Sequence, residues 1–517
     1  MGFYDSLFCG GLRKLSSIVK QSYKDTELYL YSPTGTGSLF KAHFKDLSGE
    51  CTSKINSEFL NKMKDADVIG LSSMSNYSLL GKKFIEEVKK INPSCYFVWG
   101  GAHGIMDPEA CFPEADAVCV GEGEEAFVDL LFQLNSPEKK NLPGFWFKGN
   151  DAIIKNPHRS LISGEIMDKI PYPDFSDEVF YVDDTSLRSC DKETYLANQG
   201  NNYMTVWSQG CPFKCSYCSN TKFLENDKNY AKLRYPSPEY FVNELKHVVK
   251  NTDYIGFIDI LDDNFFLIKD KDLVQFAELY KAEIGMPFHI SGIFPGTIKK
   301  EKTLDLLIDA GLRRARMGIQ SGSKKSLDFY VRPTSRKAII DTANLLMSKT
   351  PRINPPEFDI IIDNPLENEV DKKETLELLK SFKGSFIPLI YSLRSIPGTS
   401  IRKYLEEHPG LDIPPIELGF RKTVDQKFAL KLYNFGMGKP SSLRIKIFEA
   451  VSKIPFIVPG VLNITILLTL ARRLFYDIKI NNFSTLGTVF PNLVTFLFKS
   501  KTVLFFQSRL NRLSSTN

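Results

Sequence analysis

The sequence lacks several features that would place it in a specialised class of protein. Its nine cysteines are odd in number and spread along 517 residues, which does not indicate a disulfide framework. The first fifteen residues have no apolar core of the kind found in a signal peptide. Internal repeats and long low-complexity tracts are also missing. We therefore expect globular domains in a reducing cytoplasm.

The composition is that of a globular chain, with 43% hydrophobic and 25% charged residues, and the length predicts two to four domains. The charge is unevenly distributed. Residues 411–517 contain 15 Lys and Arg against 5 Asp and Glu, a net charge of +10, whereas the whole chain carries +5. This asymmetry indicates an anionic partner for the C-terminal part, such as a membrane surface or a nucleic acid.

Short apolar runs alternate with amphipathic segments over residues 1–135. Glu27–Tyr31, Val68–Ser72 and Tyr96–Trp99 have the composition of strands, and Leu80–Lys90 has helical spacing. Strands that alternate with helices predict parallel βαβ units and a doubly wound sheet. Such sheets bind ligands at the carboxyl ends of their strands.

The same alternation returns over residues 201–405, after a connector with a small hairpin at residues 136–200. Six βα units predict a partial (βα)6 barrel, whose functional residues lie at the C-terminal ends of the strands. The six predicted strands are Tyr203–Trp207, Tyr254–Ile260, Phe288–Ile290, Ala315–Ile319, Phe358–Ile362 and Pro388–Leu393. Residues 406–517 form a predicted basic, apolar and mostly helical C-terminal region.

The C-terminal region contains two apolar runs, Ile454–Ala471 and Leu486–Phe498. The first has 18 residues without a charge, which is the lower limit for a membrane-spanning helix, and it contains Pro455 and Pro459. One interpretation is a segment that lies on a membrane, attracted to anionic lipid by Lys and Arg. The other is a buried helical domain that covers the barrel mouth. Nucleic acid is not expected, because the basic residues are interleaved with long aliphatic runs.

Three closely spaced cysteines, Cys211, Cys215 and Cys218, follow the first predicted barrel strand. Three thiolates at this spacing can bind three irons of one cubane cluster, which leaves the fourth iron for a substrate or cofactor. A zinc loop is the alternative interpretation. Structural zinc usually needs four Cys or His ligands, and neither a second Cys pair nor a nearby histidine is present.

The spacing C-x-x-x-C-x-x-C, with Tyr217 before the last cysteine, resembles the radical S-adenosylmethionine (SAM) superfamily. The resemblance implies a [4Fe–4S] cluster on Cys211, Cys215 and Cys218, whose free iron binds the amino and carboxylate groups of SAM. Reductive cleavage of SAM then gives methionine and a 5′-deoxyadenosyl radical. It also implies a reducing electron donor of the flavodoxin or ferredoxin type.

Polar residues after the later barrel strands extend this resemblance. The residues that it assigns to SAM binding are Tyr217, Asp262, Asp263, Gln320, Ser321, Ser323 and Asn364. Related enzymes often have glycine where Asp363 stands here. The tripeptide Pro397-Gly398-Thr399 matches a recurring element of the family and is interpreted as structural.

The run Gly100-Gly101-Ala102-His103 and the turn Gly121-Glu122-Gly123-Glu124 resemble the cobalamin-binding domain that precedes the barrel in one radical SAM subgroup. The residues implied to line the cobalamin are Ser72, Ser73, Gly100, Gly101 and Gly121. The motif D-x-H-x-x-G is absent, since His43 lacks both the Asp and the Gly. Two alternatives follow: cobalamin binds without a histidine ligand, or the domain is vestigial. His103 is interpreted as a structural histidine.

These features predict an enzyme that uses cobalamin to transfer a methyl group to an unactivated carbon, on a lipid-like or other small molecule. The alternatives are cyclisation or C–C coupling without functional cobalamin, and a non-catalytic membrane-associated binding protein. The expected location is the cytoplasm or the inner face of a membrane. No residue is singled out as catalytic, although Tyr330, Tyr391 and Cys190 are candidates for radical or proton chemistry.

Overall fold

The fold contains two sheets and a set of C-terminal helices, described here from a computed structural model. The described residues are 1–3, 9–32, 55–418, 423–439, 441–480 and 482. His43 and the second apolar run, Leu486–Phe498, lie outside them.

The strands of the described residues fall into two groups. Those of the first sheet are β1 (Gly2–Phe3), β2 (Leu28–Tyr31), β3 (Val68–Ser73), β4 (Tyr96–Gly100), β5 (Ala117–Cys119), β6 (Phe145–Lys148), β7 (Ile153–Lys155), β8 (Val179–Val182) and β9 (Leu187–Ser189). Those of the second are β10 (Asn202–Thr205), β11 (Phe257–Ile260), β12 (Phe288–Ile293), β13 (Leu312–Gln320), β14 (Glu357–Ile362) and β15 (Ile387–Ser392).

The helices are given in the same order. They are α1 (Gly10–Lys20), α2 (Ser57–Lys62), α3 (Ser78–Ile91), α4 (Gly101–Met106), α5 (Ala126–Phe132), α6 (Gly164–Met167), α7 (Lys192–Gln199), α8 (Asn220–Asn226), α9 (Pro238–Asn251), α10 (Asp270–Glu283), α11 (Glu301–Ala310), α12 (Lys324–Phe329), α13 (Arg336–Ser348), α14 (Glu369–Lys380), α15 (Ser400–Glu407), α16 (Gln426–Gly436), α17 (Ser442–Val451) and α18 (Val458–Lys479).

The first sheet has the order β7-β6-β5-β4-β3-β1-β2-β8-β9. Its six inner strands run parallel, and β6–β7 and β9 are antiparallel additions at its two edges. The strands expected around residues 28, 68 and 96 are present. The hairpin expected in the connector is β6–β7, but β8 and β9 from the same segment also join this sheet.

The second sheet is parallel throughout and keeps the chain order β10-β11-β12-β13-β14-β15. Alternate strand residues such as Ile258, Ile290 and Phe358 are buried among apolar side chains, which belong to the same core cluster as helix residues such as Phe241 and Phe276. This confirms the predicted α/β architecture, a doubly wound domain followed by a partial (βα)6 barrel and a helical C-terminal region. All six barrel strands therefore direct their carboxyl ends to one edge.

Local sequence explains where several barrel helices begin. Ser237 accepts a hydrogen bond from the amide of Tyr240, and Pro238 occupies the first turn of α9. Asn368 and Asp371 form a reciprocal capping box at the start of α14. These caps satisfy amides that have no partner within the helix.

A buried network of charged side chains lies inside the barrel, near the N-terminal ends of its strands. Glu357 on β14 accepts two hydrogen bonds from Arg314 on β13, at 3.0 and 3.1 Å. Arg473 and Asp477 of α18 join it, 3.3 Å from Glu357 and 3.7 Å from Arg314. On the other side, His289 lies 2.9 Å from Asp259. The C-terminal helix therefore packs at the end of the barrel opposite to the carboxyl ends of the strands.

This network predicts a strong dependence of stability on Glu357. Burial raises the pKa of Glu357, but the charges of Arg314 and Arg473 outweigh burial and hold that pKa well below its usual range. Glu357→Ala would leave the buried cations Arg314 and Arg473 with Asp477 as the one acidic partner within 4 Å among the described residues, at 3.7 and 3.9 Å. We expect a cost of about 3 kcal/mol, because a buried ion pair that loses one partner is strongly destabilised. We expect a lower Tm and faster hydrogen exchange in β13 and β14.

The control is Glu377→Ala, because Glu377 forms only an exposed pair with Lys373 at 3.8 Å and should change stability by about 0.5 kcal/mol or less. Since the folded-state pKa of Glu357 is depressed, its stabilisation is complete above about pH 4.3 and is lost as the pH falls. Equal losses in the two variants would contradict the prediction.

Candidate functional site

The three cysteines lie on a loop that leaves the carboxyl end of β10 and is fixed by backbone pairing. Gln209 and Arg234 exchange two backbone hydrogen bonds of 2.8 and 2.9 Å, and the amide of Cys211 donates to the carbonyl of Tyr230 at 3.1 Å. Gly210 has φ of 109°, and a Cβ there would lie 2.8 Å from the Tyr230 carbonyl oxygen. Only glycine fits this position without strain, so the residue before the first cysteine is dictated by the loop.

The thiols of Cys211, Cys215 and Cys218 share one enclosed environment. Burial raises the pKa of both Cys211 and Cys218 to about 12, and each of these thiols also experiences the charge of Cys215. Among the described residues, no three His, Cys, Asp or Glu side chains converge as a single metal ion requires. A cubane places its cysteine ligands on three separate irons, so a cluster does not require such convergence on one point.

The middle of the loop is held by the segment that follows α12. The amide of Ser216 donates to the Tyr330 carbonyl at 2.9 Å, and the Ser216 hydroxyl donates to the Phe329 carbonyl at 2.9 Å. The ring of Tyr217 packs edge-on against Tyr330, with centroids 5.3 Å apart. This contact places Tyr217 beside the cysteines, where the sequence resemblance assigned it to SAM.

Arg332 is a site residue that the sequence analysis missed. Its guanidinium lies 3.7 Å from the Cys215 sulfur and donates to the Tyr217 hydroxyl at 3.2 Å, and it also donates to the Gly318 carbonyl. Its charge sits 4.3 Å from the centre of the Phe294 ring. A buried cation beside the thiols would favour their anionic form and offset the negative charge of a cluster.

The turn that aims Arg332 is strained. Val331 has φ of 47°, a left-handed conformation that is a true outlier for a β-branched residue. It separates Tyr330, whose carbonyl binds the cysteine loop, from Arg332, which contacts a thiol. Strain of this kind persists where the surrounding contacts define the site.

The acidic pair after β11 divides into two roles. Asp262 is buried, and its carboxylate accepts hydrogen bonds from the amides of Trp207 and Ser208 and from the Ser208 hydroxyl at 2.6–3.1 Å. Burial raises its pKa to about 7. Asp262 therefore fixes the segment just before the cysteine loop.

Asp263 and Asn264 remain available to a ligand. Asp263 is exposed, and its carboxylate accepts a hydrogen bond from the Tyr230 hydroxyl at 3.4 Å. Nearby protein atoms raise its pKa by desolvation, and its charge acts on Cys211 and Cys218. Among the described residues, the buried side-chain amide of Asn264 has no hydrogen-bond partner for its nitrogen or its oxygen. An unpaired buried amide is costly unless a ligand or water completes it.

The residues at the ends of β13 and β14 are held in a hydrogen-bond network. Ser321 donates to Glu367 at 3.2 Å, and Ser323 donates to Asp371 at 2.7 Å. The Asn364 side chain accepts from the Leu366 amide at 3.0 Å, and it also interacts with the Tyr330 hydroxyl. Gln320 has φ of 71°, so its backbone is strained at the strand end. The SAM roles of Gln320, Ser321, Ser323 and Asn364 stay predictions.

Asp363 explains why this chain departs from the glycine that is common at its position. Its φ of 60° is left-handed, a conformation that Asp tolerates better than most residues. Its carboxylate accepts hydrogen bonds from the amides of Val424 and Asp425, at 3.1 and 2.8 Å. Asp425 is the N-cap of α16, so Asp363 tethers the C-terminal region to the barrel.

The predicted cobalamin-lining residues cluster at the carboxyl edge of the first sheet. Gly101 has φ of 75°, and a Cβ there would lie 2.5 Å from the Ser72 hydroxyl and 2.9 Å from the Ser73 amide nitrogen. The Ser73 hydroxyl accepts from the Trp99 indole at 2.9 Å, so it has a structural role. A Cβ at Gly121 would meet no atom of the described residues within 4 Å, which leaves open space beside this glycine.

His103 lies on α4 and packs against the first sheet. It is 1% exposed, its Nδ1 is 3.2 Å from the Ser75 hydroxyl, and its ring packs against Trp99 at 5.5 Å. Burial lowers its pKa to about 4. Its Nε2 is buried and has no hydrogen-bond partner among the described residues, and the structural role expected for His103 stays a prediction.

The carboxyl edge of the first sheet is joined to the cysteine end of the barrel. Glu122, in the turn after β5, forms a two-point ion pair with Arg234 at 2.7 and 3.2 Å. Gly398 of the Pro-Gly-Thr tripeptide lies against the end of α4, where a Cβ would meet the Met106 carbonyl at 2.6 Å. The predicted cobalamin site and the predicted SAM site therefore lie on either side of one junction between the first sheet and the barrel.

The three candidates for radical or proton chemistry lie in different places. Tyr391 is on the polar face of the barrel, where its hydroxyl accepts from Arg316 at 3.0 Å. Tyr330 is fully buried under the cysteine loop. Cys190 lies 3.6 Å from Arg13, away from both sites.

Comparisons with known proteins agree with this division. Residues 205–379 match the radical SAM superfamily, and residues 50–131 match the B12 binding domain. An anaerobic magnesium-protoporphyrin IX monomethyl ester cyclase of Rubrivivax gelatinosus is 25% identical over 52% of this chain and 46% of its own length. An uncharacterised methyltransferase of Pyrococcus horikoshii is 28% identical over 57% of this chain and 60% of its own.

A solved structure shares the fold over nearly the whole chain. The cobalamin-dependent SAM radical enzyme OxsB, with aqua-cobalamin bound, aligns over 97% of this chain and 78% of its own with a TM-score of 0.61 and 14% identity. The alignments with the two curated relatives span about half of those relatives' lengths. Together the matches confirm the resemblance, the fold and the predicted cofactors: SAM, a [4Fe–4S] cluster and cobalamin.

The position of Arg332 predicts that its charge tunes the cluster. Arg332→Met would remove a cation next to Cys215, so we expect a more negative midpoint potential in an EPR-monitored redox titration, because charge near the cluster sets its potential. Arg332→Lys keeps the charge and should shift the potential less. Arg352→Met is the control, since Arg352 pairs with Asp305 and Asp309 on the outside. An unchanged potential in Arg332→Met would rule out the role.

Proposed function

The chain belongs to the radical SAM superfamily, in the subgroup with a cobalamin-binding domain, and from this premise we propose that it methylates an unactivated carbon of a small molecule. The observation that carries the proposal is the shared boundary of the two sites. Glu122 follows the Gly121 turn of the first sheet and binds Arg234, whose backbone holds the start of the cysteine loop. A methyl carrier and a radical source can cooperate only if their sites face each other.

The cysteine end of the barrel fits a cluster with one free iron. The thiols of Cys211 and Cys218 are enclosed by protein, and three cysteines leave one iron of a cubane without a cysteine ligand. Cluster assembly would deprotonate thiols whose pKa is raised by burial, and Arg332 would offset the resulting charge. Asp263 and the unpaired Asn264 amide provide an acceptor and an amide for a ligand beside the cysteines.

The edge of the first sheet fits a cobalamin that has no histidine ligand. The described residues leave open space beside Gly121, and the Gly101 turn packs closely on Ser72 and Ser73 without a side chain of its own. His103 is buried between α4 and the first sheet. These features favour binding over a vestigial domain.

When bound, the cluster and SAM supply a radical that activates a C–H bond, and cobalamin supplies the methyl carrier. The residues of this chain position and enclose that chemistry. Arg316, Asp359 and Tyr391 form a polar wall inside the barrel, with Arg316 2.8 Å from Asp359. The Tyr391 side chain is partly exposed, although surrounding protein atoms desolvate it and raise its pKa. A substrate inside the barrel would therefore contact this group of side chains. We place the substrate between this wall and the cysteine loop.

A second function is cyclisation or C–C coupling without functional cobalamin. It is favoured by the name of one relative, which is a cyclase. Under either function we propose a cytoplasmic enzyme supplied with electrons by a flavodoxin- or ferredoxin-like protein. A lipid-like substrate is part of the proposal and rests on the apolar C-terminal region alone.

Filling the space above Gly121 should block cobalamin. Gly121 has no positive φ, and a Cβ built on it would have no neighbour within 4 Å, so Gly121→Leu should fold normally and project into the proposed site. We expect an unchanged Tm and at least a tenfold weaker retention of hydroxocobalamin, measured by cobalt content after gel filtration, which corresponds to about 1.4 kcal/mol.

Gly410→Leu is the matched control, because Gly410 is also open and lies far along the chain in an exposed turn. It should retain cobalt like the parent protein. Equal cobalt in the Gly121 and Gly410 variants would place cobalamin elsewhere or exclude it.

The function is tested with anaerobically reconstituted protein, methyl-deuterated SAM, a strong reductant and a metabolite extract from the native host. We expect 5′-deoxyadenosine and a product that carries the deuterated methyl group, and the labelled product should depend on added cobalamin. Cys218→Ala should lose iron and both products, whereas Cys111→Ala, at a buried cysteine of the first domain, should retain iron.

The outcomes separate the two functions. A new product without label, formed together with 5′-deoxyadenosine, would support cyclisation or coupling. Intact SAM in the iron-loaded parent protein would contradict both and return the chain to a binding role.

A further inference from the structure

The C-terminal helix α18 has two contrasting faces. One face is buried against the rest of the protein through Val458, Leu462 and Ile466. The opposite face presents five exposed apolar side chains, Ile464, Leu467, Leu468, Phe475 and Ile478. The spacing of the exposed residues follows the helical repeat, so they form one continuous strip.

The strip continues onto the preceding helix and loop. Leu443 and Ile447 are exposed on α17, and Ile454 and Phe456 are exposed in the connection between the two helices. Phe456 is 84% exposed. Scattered exposed apolar residues are ordinary on a protein surface, but a contiguous patch of this extent marks an interaction site. We call the exposed apolar residues from Leu443 to Ile478 the C-terminal face.

The exposed charge of this surface is predominantly positive, with Glu449 as a half-exposed acidic residue. Between residues 441 and 480, every exposed charged residue is a lysine: Lys446, Lys453 and Lys479. The two acidic residues of this segment are engaged elsewhere, Glu449 with Lys380 at 3.4 Å and Asp477 with Arg314 at 3.7 Å. The C-terminal face is therefore apolar with a basic border.

The polar contacts of α18 decide how it can meet a membrane. The helix has 22 residues and is long and apolar enough to cross a bilayer. However, Arg472 donates to the carbonyls of Phe386 and Gly436 at 3.0 and 2.8 Å, and Arg473 pairs with Glu357. A spanning orientation would break these contacts and take the charges into hydrocarbon, which is expensive. Among the described residues, the outward face of α18 is the side of the helix that stays exposed.

We propose that the C-terminal face is a peripheral binding surface for an anionic lipid bilayer. Its apolar side chains enter the boundary between headgroups and acyl chains, and the lysines contact the anionic headgroups. The basic border selects a lipid surface over a second copy of this chain, because two copies of the face would bring like charges together.

The test is vesicle flotation of the full-length protein. Vesicles of phosphatidylcholine with phosphatidylglycerol should bind it, and vesicles of phosphatidylcholine alone should bind it at least tenfold less. High salt should weaken the binding, since surface charges are screened. The double variant Ile464→Asn with Leu468→Asn should reduce the bound fraction at least tenfold with an unchanged Tm.

Val370→Asn is the control, because Val370 is an equally exposed apolar residue on α14, outside the C-terminal face. It should bind vesicles like the parent protein. The charge reversal Lys446→Glu with Lys453→Glu tests the border independently and should abolish the preference for phosphatidylglycerol.

Three results would overturn the proposal. The first is no binding to anionic vesicles. The second is equal binding by the Ile464/Leu468 and Val370 variants. The third is a dimer in analytical ultracentrifugation that the Ile464/Leu468 variant dissociates, which would make the face a self-association surface. None of these readouts needs catalysis, so they are independent of the proposed methyl transfer.

Discussion

The structure depends on the backbone pairing that fixes the cysteine loop. Gln209 and Arg234 exchange two hydrogen bonds, so the residues before and behind the loop form a short ladder outside the barrel sheet. The Arg234 side chain leaves the same ladder and binds Glu122 of the first domain. One short segment therefore positions both the metal-binding loop and the neighbouring domain, and displacement of either would disturb the other.

The sequence was informative wherever structure follows from local pattern. The barrel strands were predictable because their β-branched and aromatic runs are buried, and the cysteine triad because its ligands are adjacent in the chain. The strands of the first sheet were harder to predict from the sequence. Gly2–Phe3 is too short to show a pattern, yet it pairs between β2 and β3, and β8 joins from a segment expected to be a connector.

The same reasoning explains the missed site residues. Arg332 lies 117 residues from Cys215, and only the fold brings them together. The buried pairing of Glu357 with Arg314 and Arg473 links two strands and a C-terminal helix. No short motif encodes such contacts. Conversely, Ser73 and Asp262 were found by position, but the structure gives their side chains hydrogen-bond partners within the protein.

Asp363 shows how one substitution can change the assembly of a fold. A glycine at φ of 60° would relieve strain of about 1 kcal/mol or more, but it would remove the carboxylate that receives the amides of Val424 and Asp425. Asp363 therefore combines a strained backbone with two hydrogen bonds that connect the carboxyl end of β14 to the start of α16. Ligand binding at the end of β14 and packing of the C-terminal helices on the barrel are then thermodynamically linked, so each should change the free energy of the other.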